Sequence, residues 1–205
     1  KYASDISRYI DPEYKKIDGF LDNRYQQNSY YLTTAHRIKL GPRNVFKVSL
    51  DYSVDKLDAN LYNFAFPERN QLLIAIANAY QFKTLRIDAG LLATYVRDHV
   101  KVGQAAGGKN AYTPSFSINF IPFEKQNLSL RGFYKSSFRL PTFNDLYYTF
   151  IGNNKLRPEY AKQFNLGFTV VQPIKLEKGA LQLDADLYFN KVVDKIVAIP
   201  TLNLF

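Results

Sequence analysis

The chain has 205 residues, of which 46% are apolar, including 16 Tyr and 16 Phe, and its formal net charge is +9. With no cysteine and only two histidines, it excludes disulfide frameworks, cysteine-ligated zinc, thiol nucleophiles and histidine-rich metal sites. The basic residues are scattered, which argues against a nucleic-acid partner, and no apolar stretch approaches the roughly 18 residues of a membrane-spanning helix. Lys1 begins no recognisable signal peptide and the chain lacks methionine, so we expect a processed chain or a piece of a longer one.

Apolar and polar residues alternate with a period of two along most of the chain, which predicts an all-β fold of antiparallel strands. In chain order the predicted strands cover residues 30–40, 46–55, 72–82, 85–95, 115–120, 128–135, 164–170 and 181–190. The alternation changes phase between the third and fourth of these strands, which predicts a tight turn near Gln81 to Thr84. The pattern therefore predicts about eight strands, many of them long enough to cross a bilayer when tilted.

The connections between the predicted strands alternate between short and long. The short ones are 41–43, 82–83, 122–126 and 173–179, the long ones are 56–70, 98–110 and 140–161, and residues 1–23 and 191–205 fit two further long connections. Short turns at one rim and long loops at the other are typical of outer-membrane barrels, whereas soluble sandwiches mix their connection lengths. The pattern therefore favours an antiparallel up-and-down transmembrane β-barrel wall.

The longest connection carries a motif that points to a family. It reads Arg139-Leu140-Pro141-Thr142-Phe143-Asn144-Asp145-Leu146-Tyr147, followed by Gly152-Asn153-Asn154-Lys155-Leu156-Arg157-Pro158-Glu159. In this order, between two alternating strands, the motif resembles the barrel signature of TonB-dependent outer-membrane receptors. The strand at 164–171 and the aromatic pair Tyr188–Phe189 also resemble that family, and the tail 199–205 resembles its Bacteroidetes-type members.

The resemblance implies a barrel of about 22 strands with an N-terminal plug domain. Since a strand with its loop takes roughly 25 residues, this chain would supply about eight of those strands. We therefore expect residues 1–205 to be an internal part of the barrel domain, with the plug domain absent. The implied function is TonB-dependent uptake of a nutrient such as a siderophore, haem or cobalamin across the outer membrane of a Gram-negative bacterium.

Binding rather than catalysis is the expected activity, and no catalytic, metal or cofactor site is predicted. Long loops rich in Tyr and Phe suit the capture of an amphipathic small nutrient ligand, because rings give contact area at little entropic cost. The candidate ligand-binding residues in the loops are Arg139, Asn144, Tyr147, Tyr148, Phe150, Tyr62 and Phe64. The candidate plug-facing residues of the lumen are Arg131, Lys135, Asp184 and Asp186. The expected partners are the nutrient, the lipid bilayer, and the TonB complex acting through the plug of the parent receptor.

Two other classes of protein also fit the alternating pattern. Eight strands can close into a small barrel filled by side chains, which would suit an adhesin or a structural membrane protein. A soluble β-sandwich that binds carbohydrate or anions would bury the Phe and Leu face between two sheets. The carboxylates of Asp184 and Asp186 share one strand face and could in principle carry acid–base chemistry, but we expect them to balance the charge of lumenal Arg and Lys.

Overall fold

The structure is a computed structural model that describes residues 1–16, 19–123, 127–148, 152–174 and 179–197. These residues form antiparallel strands and one short helix. The elements are β1 (Tyr2–Lys16), β2 (Gly19–Lys39), β3 (Asn44–Ala59), β4 (Glu68–Phe82), β5 (Leu85–His99), β6 (Lys109–Phe120), β7 (Leu128–Arg139), α1 (Phe143–Tyr147), β8 (Glu159–Ile174) and β9 (Gly179–Val193). The nine strands form one sheet in chain order, so each strand pairs with its neighbours along the chain.

The register of the sheet keeps apolar side chains on one face. Val48 of β3 lies opposite Ile76 of β4, and Ile76 lies opposite Leu91 of β5. Because side chains alternate between the two faces of a strand, this pairing collects the polar residues on the other face. We name the face that carries Ile76 the outer face and the opposite one, which carries Arg69 and Asp98, the inner face.

From β2 to β9 the connections follow the predicted order, with the predicted short and long ones at opposite ends of the sheet, whereas β1 and β2 are joined at the end that carries the long connections with only two residues between them. β4 and β5 are joined by Lys83 and Thr84, where the phase change predicted a tight turn. Lys83 has a positive φ of 42° in this turn. The connections 60–67, 100–108 and 140–158 all lie at the other end of the sheet, which we name the long-loop end.

The expectation that residues 1–23 form a long connection is wrong. These residues supply β1 and the start of β2, with Lys16 opposite Gly19 at the hairpin end. The strand escaped detection because both of its faces are polar: Ser4 and Arg8 share the outer face with Ile6, so apolarity does not alternate there. With β1, the residues that the structure describes form nine strands.

The single open sheet is inconsistent with both alternative folds. Within the described residues β1 and β9 are the edge strands and do not pair with each other, so no eight-stranded barrel is closed. The described part of the chain also contains no second sheet packed against the apolar face, which a β-sandwich requires. No helix in this part of the chain has the length and apolarity to cross a membrane. A total of about 22 strands in the complete barrel remains a prediction.

The buried core lies at the long-loop end, around helix α1. Thr142 caps this helix: its hydroxyl accepts from the Asp145 N–H (3.2 Å), and the Asp145 carboxylate accepts from the Thr142 N–H (2.8 Å). A loop cluster of buried side chains packs around the helix and consists of Leu57, Phe64, Ala106, Phe143, Leu146 and Tyr147. These residues come from β3, from the 60–67 and 100–108 connections, and from helix α1 within the 140–158 connection, so the cluster joins the three long connections to each other.

Candidate functional site

A buried ion pair lies at the centre of the long-loop end. Arg69 and Asp98 stand directly opposite each other on β4 and β5, and their side chains are 11% and 5% exposed. The guanidinium donates twice to the carboxylate, from Nε to Oδ1 and from Nη2 to Oδ2, each at 2.8 Å. Its Nη1 also donates to the Pro141 carbonyl at 3.0 Å, and the guanidinium lies over the Phe143 ring at 4.9 Å. A bidentate, desolvated ion pair of this kind fixes the relative orientation of its two side chains and also neutralises their charges.

Tyr147 connects this ion pair to a second loop. Its hydroxyl donates to Asp98 Oδ2 at 3.0 Å and accepts from the Ala106 N–H at 2.9 Å. The side chain is 8% exposed. Helix α1, the end of β5 and the 100–108 loop are therefore joined through one phenol.

Titration of Tyr147 gives a testable consequence of this burial. Burial raises the pKa of the Tyr147 phenol to about 12 from its ordinary 10.0, the negative charge of Asp98 acts in the same direction, and the Ala106 N–H opposes the shift. Because the neutral phenol is favoured in the folded state, its contribution to stability is complete below pH 10 and is lost as the pH rises through 12. The difference in tyrosinate absorbance between wild type and Tyr147→Phe isolates this titration. We expect its midpoint near pH 12, and a midpoint near pH 10 would contradict burial of the phenol.

A cavity of about 850 Å³ opens on the inner face beside the loop cluster. It is lined by side chains of β1 to β4 and of helix α1 and its neighbours, among them Tyr9, Tyr25, Tyr31, Asn144 and Tyr148. Asp5 and Asp55 also line it, whereas the Arg69 charge at its wall is already paired with Asp98. This volume lies within the range of small-molecule sites, and its lining combines rings with hydrogen-bonding groups.

The predicted ligand-binding residues occupy three different environments. Asn144 and Tyr148 line the cavity, and the Tyr148 side chain hydrogen-bonds with that of Tyr25. Phe64 and Tyr147 are 2% and 8% exposed, and both belong to the loop cluster. Those two rings face protein, so in this structure they support the loops instead of forming the cavity surface.

The other three predicted ligand-binding residues lie apart from the cavity. Tyr62 is 96% exposed at the tip of the 60–67 loop. Arg139 lies 3.9 Å from both Asp145 and Glu159, so it braces the start of the 140–158 loop. Phe150 lies outside the described residues.

The predicted lumen residues form a polar network on the inner face. Arg131 donates to both carboxylate oxygens of Asp186, at 3.1 and 2.5 Å, and its Nη1 lies 3.8 Å from Asp184. Thr169 donates to Asp184 at 2.6 Å. The expected charge balance is therefore present in the structure. Lys135 lies on the same face further along β7, beside a second cavity of about 380 Å³. That these residues face a plug stays a prediction.

The sequence analysis missed Arg69 and Asp98, although one signal for them was available. An antiparallel hairpin pairs residues at equal distances from its turn, and the turn at Lys83–Thr84 was predicted. That symmetry places Arg69 opposite Asp98, as observed. Tyr9, Tyr25 and Tyr31 carried no comparable signal, because their strands had not been recognised or were only weakly periodic. Within the described residues no three His, Asp or Glu side chains come close enough together to hold a metal ion.

Comparison with known proteins gives one family match and several structural neighbours. Residues 2–205 match a family model described as TonB dependent receptor-like, beta-barrel. A segment of 66 residues is 36% identical to the vitamin B12 transporter BtuB of Vibrio vulnificus (strain YJ016), which is 32% of this chain and 10% of the transporter.

The similar solved structures share the fold at low sequence identity. The hemophore receptor HasR of Serratia marcescens, determined as a double mutant in complex with its hemophore HasA and heme, has a TM-score of 0.61 at 16% identity, over 83% of this chain and 33% of HasR. The copper transporter OprC has a TM-score of 0.56 at 12% identity, over 93% and 39%. FpvAI in its complex with pyocin S2 has a TM-score of 0.52 at 12% identity, over 93% and 29%. The chain thus spans about a third of the length of these structures.

Proposed function

Because the chain belongs to the TonB-dependent receptor β-barrel family, we propose that it forms part of the barrel wall of a receptor that takes up a nutrient across the bacterial outer membrane. The family consists of receptors and transporters, so the activity is binding and passage of a ligand. The whole receptor is longer than this chain, and its plug and the TonB complex that acts on the plug are part of the proposal.

The outer face supports the proposed membrane location. Its apolar side chains are uncovered by protein within the described residues, and Leu187 of β9 is 75% exposed. Side chains such as Ile76, Leu91 and Leu166 are exposed in the same way. A contiguous apolar face of this kind is unfavourable in water and favourable against lipid tails.

The cavity beside the loop cluster is the observation that carries the proposed ligand capture. Asn144 and Tyr148 present an amide and a phenol to it, and both lie on or beside helix α1. Arg69 donates to the Pro141 carbonyl just before that helix, and Tyr147 at its end donates to Asp98, so the ion pair positions the helix. We infer that the loops bind a nutrient in the class of siderophores, haem or cobalamin, with Asn144 and Tyr148 as contact residues.

The inner-face network provides a surface for the proposed plug. Arg131, Asp184 and Asp186 are partly exposed on the inner face, and Lys135 lies exposed on the same face. In the intact receptor we place the plug against these side chains. Rearrangement of that plug by TonB would then open the path along the inner face.

Uptake by the intact receptor tests this function. We expect cells expressing it to take up at least one of three radiolabelled probes, namely cyanocobalamin, haemin or a ferric hydroxamate siderophore, and to stop doing so when tonB is deleted. Combining Asn144→Ala with Tyr148→Ala should weaken binding of that probe about 10-fold or more, since two contacts at a concave site are removed.

The matched control replaces a tyrosine that faces away from the cavity. Tyr112 is exposed on the outer face, so Tyr112→Ala should leave binding of the probe unchanged. Absence of the wild-type receptor from the outer-membrane fraction, or uptake that is equal with and without tonB, would contradict the proposed function.

A further inference from the structure

Two lysines stand directly opposite each other on the outer face of the last two strands. Lys162 of β8 pairs with Lys191 of β9, in a register that also pairs Phe164 with Phe189. Both lysine side chains are exposed. Like charges in directly opposed positions of an antiparallel pair repel each other, so an anion placed between them would stabilise this arrangement.

No carboxylate of the described residues compensates this pair. Neither ammonium has an ion-pair partner in this part of the chain. A second like-charge pair on the same face, Arg8 opposite Arg24, shows the usual solution. There Asp22 lies between the two guanidinium groups, 2.6 Å from Arg8 and 3.4 Å from Arg24. The lysine pair therefore lacks the acidic partner that the arginine pair has.

The lysines lie at the end of an apolar band. On β8 the outer face carries Phe164, Leu166, Phe168 and Val170 between Lys162 and Gln172. At about 3.3 Å per residue, these roughly ten residue steps span about 33 Å along the strand. A tilt of about 40° reduces this to about 25 Å, the height of the apolar band of a membrane barrel. Lys162 is nearer the long-loop end, so the lysines lie where the outer-leaflet headgroups begin.

Aromatic rings lie on both sides of the lysine pair. Towards the apolar band, Tyr134 and Phe164 have ring centroids 4.8 Å apart, and Phe164 and Phe189 6.4 Å apart. Towards the long-loop end, Phe138 and Tyr160 have centroids 5.7 Å apart. Rings of this kind mark the interface between lipid tails and headgroups in membrane barrels.

We propose that Lys162 and Lys191 together bind the phosphate of an anionic lipid headgroup in the outer leaflet. The inference rests on the proposed outer-membrane location of the barrel. A phosphate placed between the two ammonium groups would accept a charge-assisted hydrogen bond from each of them, and its negative charge would offset their repulsion. The neighbouring rings would contact the first carbons of the acyl chains. The site lies on the lipid-facing side, away from the nutrient cavity.

Titration with a defined lipid tests this site. The purified intact receptor in detergent is titrated with diphosphorylated lipid A, and the bound lipid is quantified by native mass spectrometry. Since each surface lysine contributes substantially to attraction by an anionic headgroup, we expect Lys162→Gln with Lys191→Gln to weaken binding about 30-fold. Lipid A from which the phosphates have been removed should bind weakly to the wild type and to the variant alike.

The control variant removes two lysines elsewhere. Lys155→Gln with Lys195→Gln changes the net charge equally, but neither residue lies within a strand. This control should bind diphosphorylated lipid A like the wild type. Equal binding by the wild type and the Lys162/Lys191 variant would overturn the proposed site, as would displacement of the lipid by an equimolar amount of inorganic phosphate. If the wild-type receptor is found in the outer membrane but binds both forms of lipid A equally, only the lipid site is refuted. If the receptor is absent from the outer membrane, the proposed function is refuted as well.

Discussion

Replacing Arg69 with alanine is expected to lower the free energy of local unfolding at the long-loop end by about 3–5 kcal/mol. The substitution leaves the Asp98 carboxylate, whose side chain is 5% exposed, without its cation. It also removes the donor to the Pro141 carbonyl and the contact with the Phe143 ring. Hydrogen exchange of peptides covering residues 100–108 and 142–148 in the intact receptor measures this free energy directly.

An exposed ion pair nearby supplies the matched control. Lys56 and Glu68 are 2.8 Å apart on neighbouring strands at the same end of the sheet, but their side chains are 47% and 36% exposed. Lys56→Ala should therefore cost no more than about 1 kcal/mol. Replacing both buried partners, as in Arg69→Met with Asp98→Leu, should recover most of the loss, because no buried charge is left unpaired. A cost of Arg69→Ala no larger than that of Lys56→Ala would show that the buried pair does not hold the loops.

The second large effect is expected from Phe64→Ala, at about 3–5 kcal/mol. Phe64 is 2% exposed, packs edge-on against Phe66 with ring centroids 5.3 Å apart, and belongs to the loop cluster. Truncation removes a buried ring and leaves a cavity inside the loop cluster. The same hydrogen-exchange measurement should show faster exchange in all three long loops, since the cluster joins them.

Tyr62 provides an internal comparison for Phe64. Both residues lie in the 60–67 loop, but Tyr62 is 96% exposed. Tyr62→Ala should change the local stability by less than about 0.5 kcal/mol. Similar costs for the two variants would mean that Phe64 is not buried in the receptor as it is in this structure.

The sheet could be predicted from the sequence wherever one strand face is apolar and the other is polar. That condition is met most clearly by β3, β6, β8 and β9, and the phase change between β4 and β5 located their turn at Lys83 and Thr84. It fails for β1, where Arg8 and Asp22 form an ion pair on the outer face. Such a pair neutralises charge by contact between two strands, which an analysis of one strand at a time does not detect.

The loops were less predictable because their conformation depends on contacts between distant segments. Phe64 and Tyr147 resemble exposed capture residues in the sequence, since both lie in long aromatic loops. Tyr147 is buried because the 100–108 loop offers it a backbone N–H and β5 offers it the Asp98 carboxylate. The cavity likewise requires β1 and helix α1 to come together, and they are far apart in the chain.

The structure of the intact receptor, determined by electron cryomicroscopy in lipid, tests most directly whether this chain is part of a larger receptor barrel. We expect the free edges of β1 and β9 each to pair with a further strand, the outer face to contact lipid, and a plug to lie against Arg131 and Asp186. Pairing of β1 with β9 to close a small barrel, or a second protein layer covering Ile76 and Leu91, would contradict this assignment.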